Sequence, residues 1–242
     1  MIRVAGLKKL FAAGIIVSSA DKLTPLQQLR EIRKYLHQEQ QVLEHCMGGI
    51  LKKLETEGIS VKSYDEVNQH EKNYLNRFFS ENIYPVIIPI AVDATHPFPH
   101  LNNLSFGLAM SLEDDSKNIK HGLIRIPRIL PRFIQIEQTF IPIESVVEHF
   151  ASELFPGFTQ LASTPFRVTR NADIEIEEEE ADDFLELLQE GLRSRNKGSL
   201  IRLELMEGVN KKLSKFLLSH LNLDEKDIYS YKSLPLNLGS LW

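Results

Sequence analysis

Four basic residues, Lys120, Arg125, Arg128 and Arg132, form the string in this chain best suited to holding an anion. The three arginines are threaded on and beside Ile126-Pro-Arg-Ile-Leu-Pro-Arg-Phe133, where Pro127 and Pro131 stiffen an extended backbone. A guanidinium fork matches phosphate oxygens, and a preorganised segment lowers the entropic cost of binding them. The same residues would also serve as ordinary surface arginines on strands and turns. A second stretch, Phe166-Arg-Val-Thr-Arg-Asn-Ala-Asp173, offers Arg170 and Asp173 as an internal ion pair or as a hold on a neighbouring domain, a structural role.

Catalytic apparatus is not visible. The chain has no glycine-rich phosphate loop, no Gly-x-Ser-x-Gly elbow and no His-Glu-x-x-His. Its histidines at 37, 45, 70, 96, 100, 121, 149 and 220 form no metal-ligand spacing. His96 and His100 are close, but Pro97 and Pro99 shape that loop, so they read as turn residues. The acidic run Glu177 to Glu180 reads as a solvated helix start and lacks the spacing of an acidic metal loop. The single cysteine, Cys46, fits a small apolar filler on a helix and excludes an intrachain disulfide.

Helices come first among the elements that must position these residues. Thr24 can cap and Pro25 takes the first helical position, followed by apolar residues at Leu29, Leu36, Leu43 and Ile50, seven apart. Gly48-Gly49 marks an expected bend and Glu57-Gly58 the end. A second helical stretch, 63–79, has an aromatic face suited to core packing. After Tyr84 the texture becomes β-branched, with Pro89 placing Val86 to Val92 at an edge or a bend. Leu104, Phe106, Leu108, Met110 and Leu112 alternate as in a half-buried strand. Glu113 to Asn118 reads as a hairpin turn.

Short strands are expected near 122–126 and 132–137, a helix over 143–155, and a strand over 166–176. A helix follows over 177–195, a strand over 200–205 with Arg202 and Glu204 facing out, a helix over 209–221 and a strand over 228–236. The fold class is therefore α+β: a helical N-terminal segment, then a domain of mostly antiparallel strands with packed helices.

Hydrophobic residues make up 43% of the 242, enough for a sizeable core. The net charge of −5 argues against broad attraction to nucleic acid or anionic membrane, while leaving room for a local basic patch. Lys8-Lys9, an apolar run and Ser18-Ser19-Ala20 suggest a signal peptide, but apolar Ile2, Val4 and Leu7 ahead of the lysines favour an amphipathic helix. No stretch is long enough to be a membrane-spanning helix.

Several segments occur in a telling order: Ile2-Arg-Val-Ala-Gly-Leu7, Pro85 to Ser105, Leu130-Pro-Arg-Phe133, Phe166 to Asp173, and Gly198-Ser-Leu-Ile-Arg-Leu-Glu204. As a set they resemble the amino-terminal half of the polyphosphate kinases that synthesise long chains. The resemblance implies that 1–57 belong to a partial helical N-terminal domain and 58–242 to a head, or middle, domain of PX-like fold. Such a head domain contributes to dimerisation and borders the catalytic tunnel.

The family moves the terminal phosphate of ATP to polyphosphate through a phosphohistidine with Mg²⁺. The resemblance places the nucleophilic histidine and most ATP contacts in C-terminal domains outside this chain. It implies no catalytic residue and no metal here, with ATP and Mg²⁺ belonging to the full-length enzyme. The implied partners are the missing catalytic domains and a second copy through the head domain; polyphosphate is the anion that Arg125, Arg128 and Arg132 would hold, although none of the three matches a named family contact, and nucleic acid is not among the partners. The implied location is cytoplasmic, with membrane association left open. Two alternatives stand beside this: a stand-alone phosphate-binding or dimerisation module, and a regulatory subunit that pairs with a complete kinase.

Overall fold

The computed structural model describes residues 2–16, 22–93, 96–171, 199–232 and 235–241. Helix α1 (Ile2–Ala12) packs on α2 (Pro25–Thr56), burying Ala5, Leu7 and Leu29. Thr24 caps α2 as its sequence requires. Its hydroxyl accepts from the Gln27 amide, and the Gln27 side chain accepts from the Thr24 amide. The helix continues through Gly48-Gly49 to Thr56, and Gly58 follows it with φ of 81°. The seven-residue stripe is only half used. Leu29 is buried, whereas Leu43 and Ile50 are exposed.

The middle of the chain forms two sheets. The smaller holds β1 (Ser60–Val61), β6 (Thr139–Pro142) and β5 (Phe133–Ile136) in that order. The larger runs β2-β4-β3-β7-β8-β9, from β2 (Pro89–Val92) through β4 (Ile119–Arg125), β3 (Phe106–Asp114), β7 (Phe158–Arg170) and β8 (Leu200–Met206) to β9 (Ile228–Tyr231). Its pairings are antiparallel except β8 with β9. Helices α3 (Gln69–Phe78), α4 (Ile143–His149) and α5 (Ala151–Leu154) contribute to a core on one face, and α6 (Lys211–Leu221) covers the other. The architecture is α+β with a helical N-terminal segment.

Covering both faces explains the first departure from the sequence pattern. Strand β3 is buried from Phe106 to Leu112 and is not half-exposed. Its large residues enter one core and Ala109 the other, so small side chains that look like solvent positions are the second buried face. The β3–β4 hairpin forms as expected, with the Asp114 carboxylate accepting from the amides of Ser116 and Asn118. Pro89 opens the edge strand β2.

The second departure is on β8, where Glu204 does not face out. It is 5% exposed and lies between Arg167 and Arg202. Nearby, α2 lays its polar side along β9. His37 stacks on Tyr229, Gln40 donates to the Ser230 carbonyl, and Lys8 and Arg33 meet Asp227. Asp173 and the expected helix 177–195 lie outside the described residues.

Candidate functional site

A cavity of about 1180 Å³ opens where β3, β4 and β7 meet the 126–132 segment. Among the described residues, its ionisable lining groups are the arginines Arg125, Arg128, Arg132 and Arg167. Asn102 and Asn103 add neutral polar groups, and Ile88 and Ile129 add exposed apolar side chains. With no carboxylate on its wall among the described residues, the cavity presents groups suited to an anion. Among the described residues no cluster of three or more His, Cys, Asp or Glu is placed to hold a metal ion.

The arginines differ in what they have left to give. Arg125 ends β4 opposite Gly107, and Arg128 sits on the proline-bracketed turn. Both are exposed, and neither has an ion-pair or hydrogen-bond partner among the described residues. Close approach fixes the Arg125 strand: a Cβ on Gly107 would lie 2.0 Å from the Ile124 carbonyl oxygen.

Arg132 is the opposite case. Its side chain is 4% exposed, its two terminal nitrogens fork onto the Glu144 carboxylate, and its Nε donates to the Leu236 carbonyl at 2.9 Å. The rings of Phe106 and Phe133 each lie 5.0 Å from the guanidinium carbon. Burial pushes the Glu144 carboxyl up, and the Arg132 fork opposes that push. Arg132 is thus a floor tie between α4 and the 236 segment, with four of its five donors already committed.

Arg167, which the sequence did not single out, lies between these extremes. It faces Glu204 across β7 and β8 at 2.8 Å, and its side chain is 21% exposed on the cavity wall. Its Nε is buried without a partner. The signal available in the sequence was its place in the Phe166 to Asp173 segment, one residue after a buried phenylalanine. Arg170 donates from Nε to the Leu101 carbonyl, and its amide donates to Asn103 Oδ1 at 2.9 Å. These bonds hold the 101–104 loop, in which Leu104 adopts φ of 61°, against the cavity. Burial lowers the Arg170 pKa below the usual guanidinium value.

None of the histidines lines this cavity. His121 stacks on Phe216 at 3.8 Å, His149 on Tyr64 at 3.7 Å, and His37 on Tyr229 at 5.1 Å. Burial, then the nearby His220, lowers the His121 pKa below 6.5.

Sequence comparison now adds what geometry does not. The profile of the polyphosphate kinase middle domain matches residues 70–242, and that of the polyphosphate kinase N-terminal domain matches residues 1–62. This chain belongs to the polyphosphate kinase family. A polyphosphate kinase of Campylobacter jejuni subsp. doylei is 53% identical over the whole chain, which covers 35% of that relative. One from Synechocystis is 39% identical over 97% of the chain and 34% of its own length. Polyphosphate kinase 1 of Chlorobaculum tepidum is 36% identical over 95% of the chain and 35% of its own length. The crystal structure of polyphosphate kinase from Porphyromonas gingivalis shares the fold, with a TM-score of 0.73 at 19% identity over 99% of this chain and 33% of that one. The chain therefore spans about a third of the polyphosphate kinases it matches. Among its described residues, no helix is long and apolar enough to cross a membrane.

Proposed function

We propose that this chain is the N-terminal and head portion of an ATP:polyphosphate phosphotransferase, and that its cavity holds a stretch of the phosphate chain. Phosphoryl transfer through a phosphohistidine, with its ATP and Mg²⁺, is the work of the remainder of the enzyme. The observation that carries the binding reading is the pair Arg125 and Arg128, two guanidinium groups without a partner among the described residues, on a cavity whose described lining holds no carboxylate. Each charge-assisted bond to a phosphate oxygen contributes about 1.5–3 kcal/mol. Two such bonds, one from the end of β4 and one from the stiffened turn, support binding at moderate salt.

The test is a titration of polyphosphate against the purified chain and against Arg125→Ala/Arg128→Ala. The double variant should bind at least about tenfold more weakly, and its affinity should fall less steeply with salt. Unchanged binding would remove the cavity from the function. In the same preparation ATP should yield no new polyphosphate, and phosphoryl transfer by these 242 residues would overturn the division of labour.

A further inference from the structure

We infer that Arg167 is a reserve cation of this cavity, released from Glu204 only by a ligand carrying several phosphates, so that it makes the site selective for chain length. The inference rests on the phosphate-chain reading of the cavity. It concerns a residue beyond the two that carry that reading.

The exchange is built into the sheet. Arg167 and Glu204 are direct cross-strand partners, so the guanidinium is held beside the cavity by a single carboxylate, at 2.8 Å. Glu204 does not depend on that contact. Its other oxygen lies 2.7 Å from Arg202 and accepts from the Tyr231 hydroxyl at 3.3 Å. Arg202 in turn donates to Tyr231 at 2.6 Å and sits 4.1 Å over the ring of Tyr229. When Arg167 turns to a ligand, Glu204 therefore keeps a cation and a hydroxyl donor, and no buried charge is orphaned. The buried, unpartnered Nε of Arg167 shows that its present position leaves hydrogen-bonding capacity unused.

Chain length enters through competition. A short ligand held by Arg125 and Arg128 brings too little charge near Arg167 to displace a bound carboxylate. A longer chain held at the same two arginines presents its next phosphates to Arg167 at an effective concentration in the millimolar range. Arg125 and Arg167 flank β3, opposite Gly107 and Phe106. Their backbones are two strand spacings apart, about 10 Å. Phe106 and Gly107 alternate on opposite faces of β3, so the two arginines leave the sheet on opposite faces and a ligand must pass round its end to meet both.

The experiment displaces labelled long-chain polyphosphate from the chain with pyrophosphate, tripolyphosphate and unlabelled long chain, all without metal. Arg167→Ala should weaken long-chain binding about tenfold, the loss of one charge-assisted bond, while pyrophosphate changes less than about twofold. Glu204→Gln removes the competing carboxylate, so it should strengthen the long chain, which reaches Arg167, more than pyrophosphate, and widen the ratio between long and short ligands. Arg167→Lys keeps the charge and should retain part of the length dependence, which also covers the case in which Arg167→Ala fails to fold. Equal weakening of all ligands by Arg167→Ala, or a length ratio untouched by Glu204→Gln, overturns the inference. Binding indifferent to Arg125→Ala/Arg128→Ala would instead sink the cavity reading itself, so the two failures are distinguishable.

Discussion

Arg128 and Arg132 stand four residues apart on one proline-bracketed segment, yet one belongs to the cavity rim and the other to its floor. On the rim, Arg128 and Arg125 keep water on their guanidinium groups and have no partner among the described residues. On the floor, Arg132 has exchanged water for Glu144, the Leu236 carbonyl and two aromatic rings. A guanidinium becomes a structural tie when most of its donors are met inside the protein. It remains a ligand group when its donors still face solvent. Position in the sequence does not separate the two cases; the carboxylate brought up by α4 does.

The comparison predicts its largest effect on the floor. Arg132→Ala leaves the Glu144 carboxylate buried and unpaired, and should cost about 3–5 kcal/mol in chemical denaturation. Arg132→Met with Glu144→Leu should lose much less than the two single changes summed, because no charge is left alone. A mild effect of Arg132→Ala would break the distinction. Next in size is Gly107→Ala. It forces a methyl group against the Ile124 carbonyl and should cost about 1–3 kcal/mol, with weaker polyphosphate binding if the Arg125 strand shifts.

The rim should be nearly silent in stability. Arg125→Ala/Arg128→Ala should change the unfolding free energy by about 0.5 kcal/mol or less while binding falls. A large loss of stability would make the rim structural as well.

Acid gives the finest separation. The His121 pKa is lowered in the folded state, so the unfolded chain takes up protons first as pH falls through 6.5. Its part of the stability is intact above that pH and is lost below it. The thermal midpoint should therefore decline between pH 7 and pH 5 less in His121→Gln than in the parent chain.

Local chemistry was legible wherever a residue acts on its own neighbourhood. Thr24, Pro25 and Gln27 begin α2 as their types require, Asp114 closes the hairpin, and Pro89 marks a sheet edge. Misread positions all involve a partner distant in sequence. Glu204 looked solvent-facing because alternation on β8 cannot show that Arg167, 37 residues earlier, lies opposite it. Arg132 looked like a phosphate ligand because Glu144, at the start of α4, is 12 residues away and Leu236 is 104 residues away.

By itself, the sequence determined the family, the α+β class and the presence of a stiff arginine-bearing segment. These depend on ordered motifs, on periodicity and on proline torsions, all of which are local. Tertiary structure alone decided which arginines remain available, that Arg167 joins them on the cavity wall, and which face of β8 is buried. The physical reason is that charge is defined by its partners. A guanidinium's role is set by the nearest carboxylate and by access to water, and the folded chain brings both from distant residues.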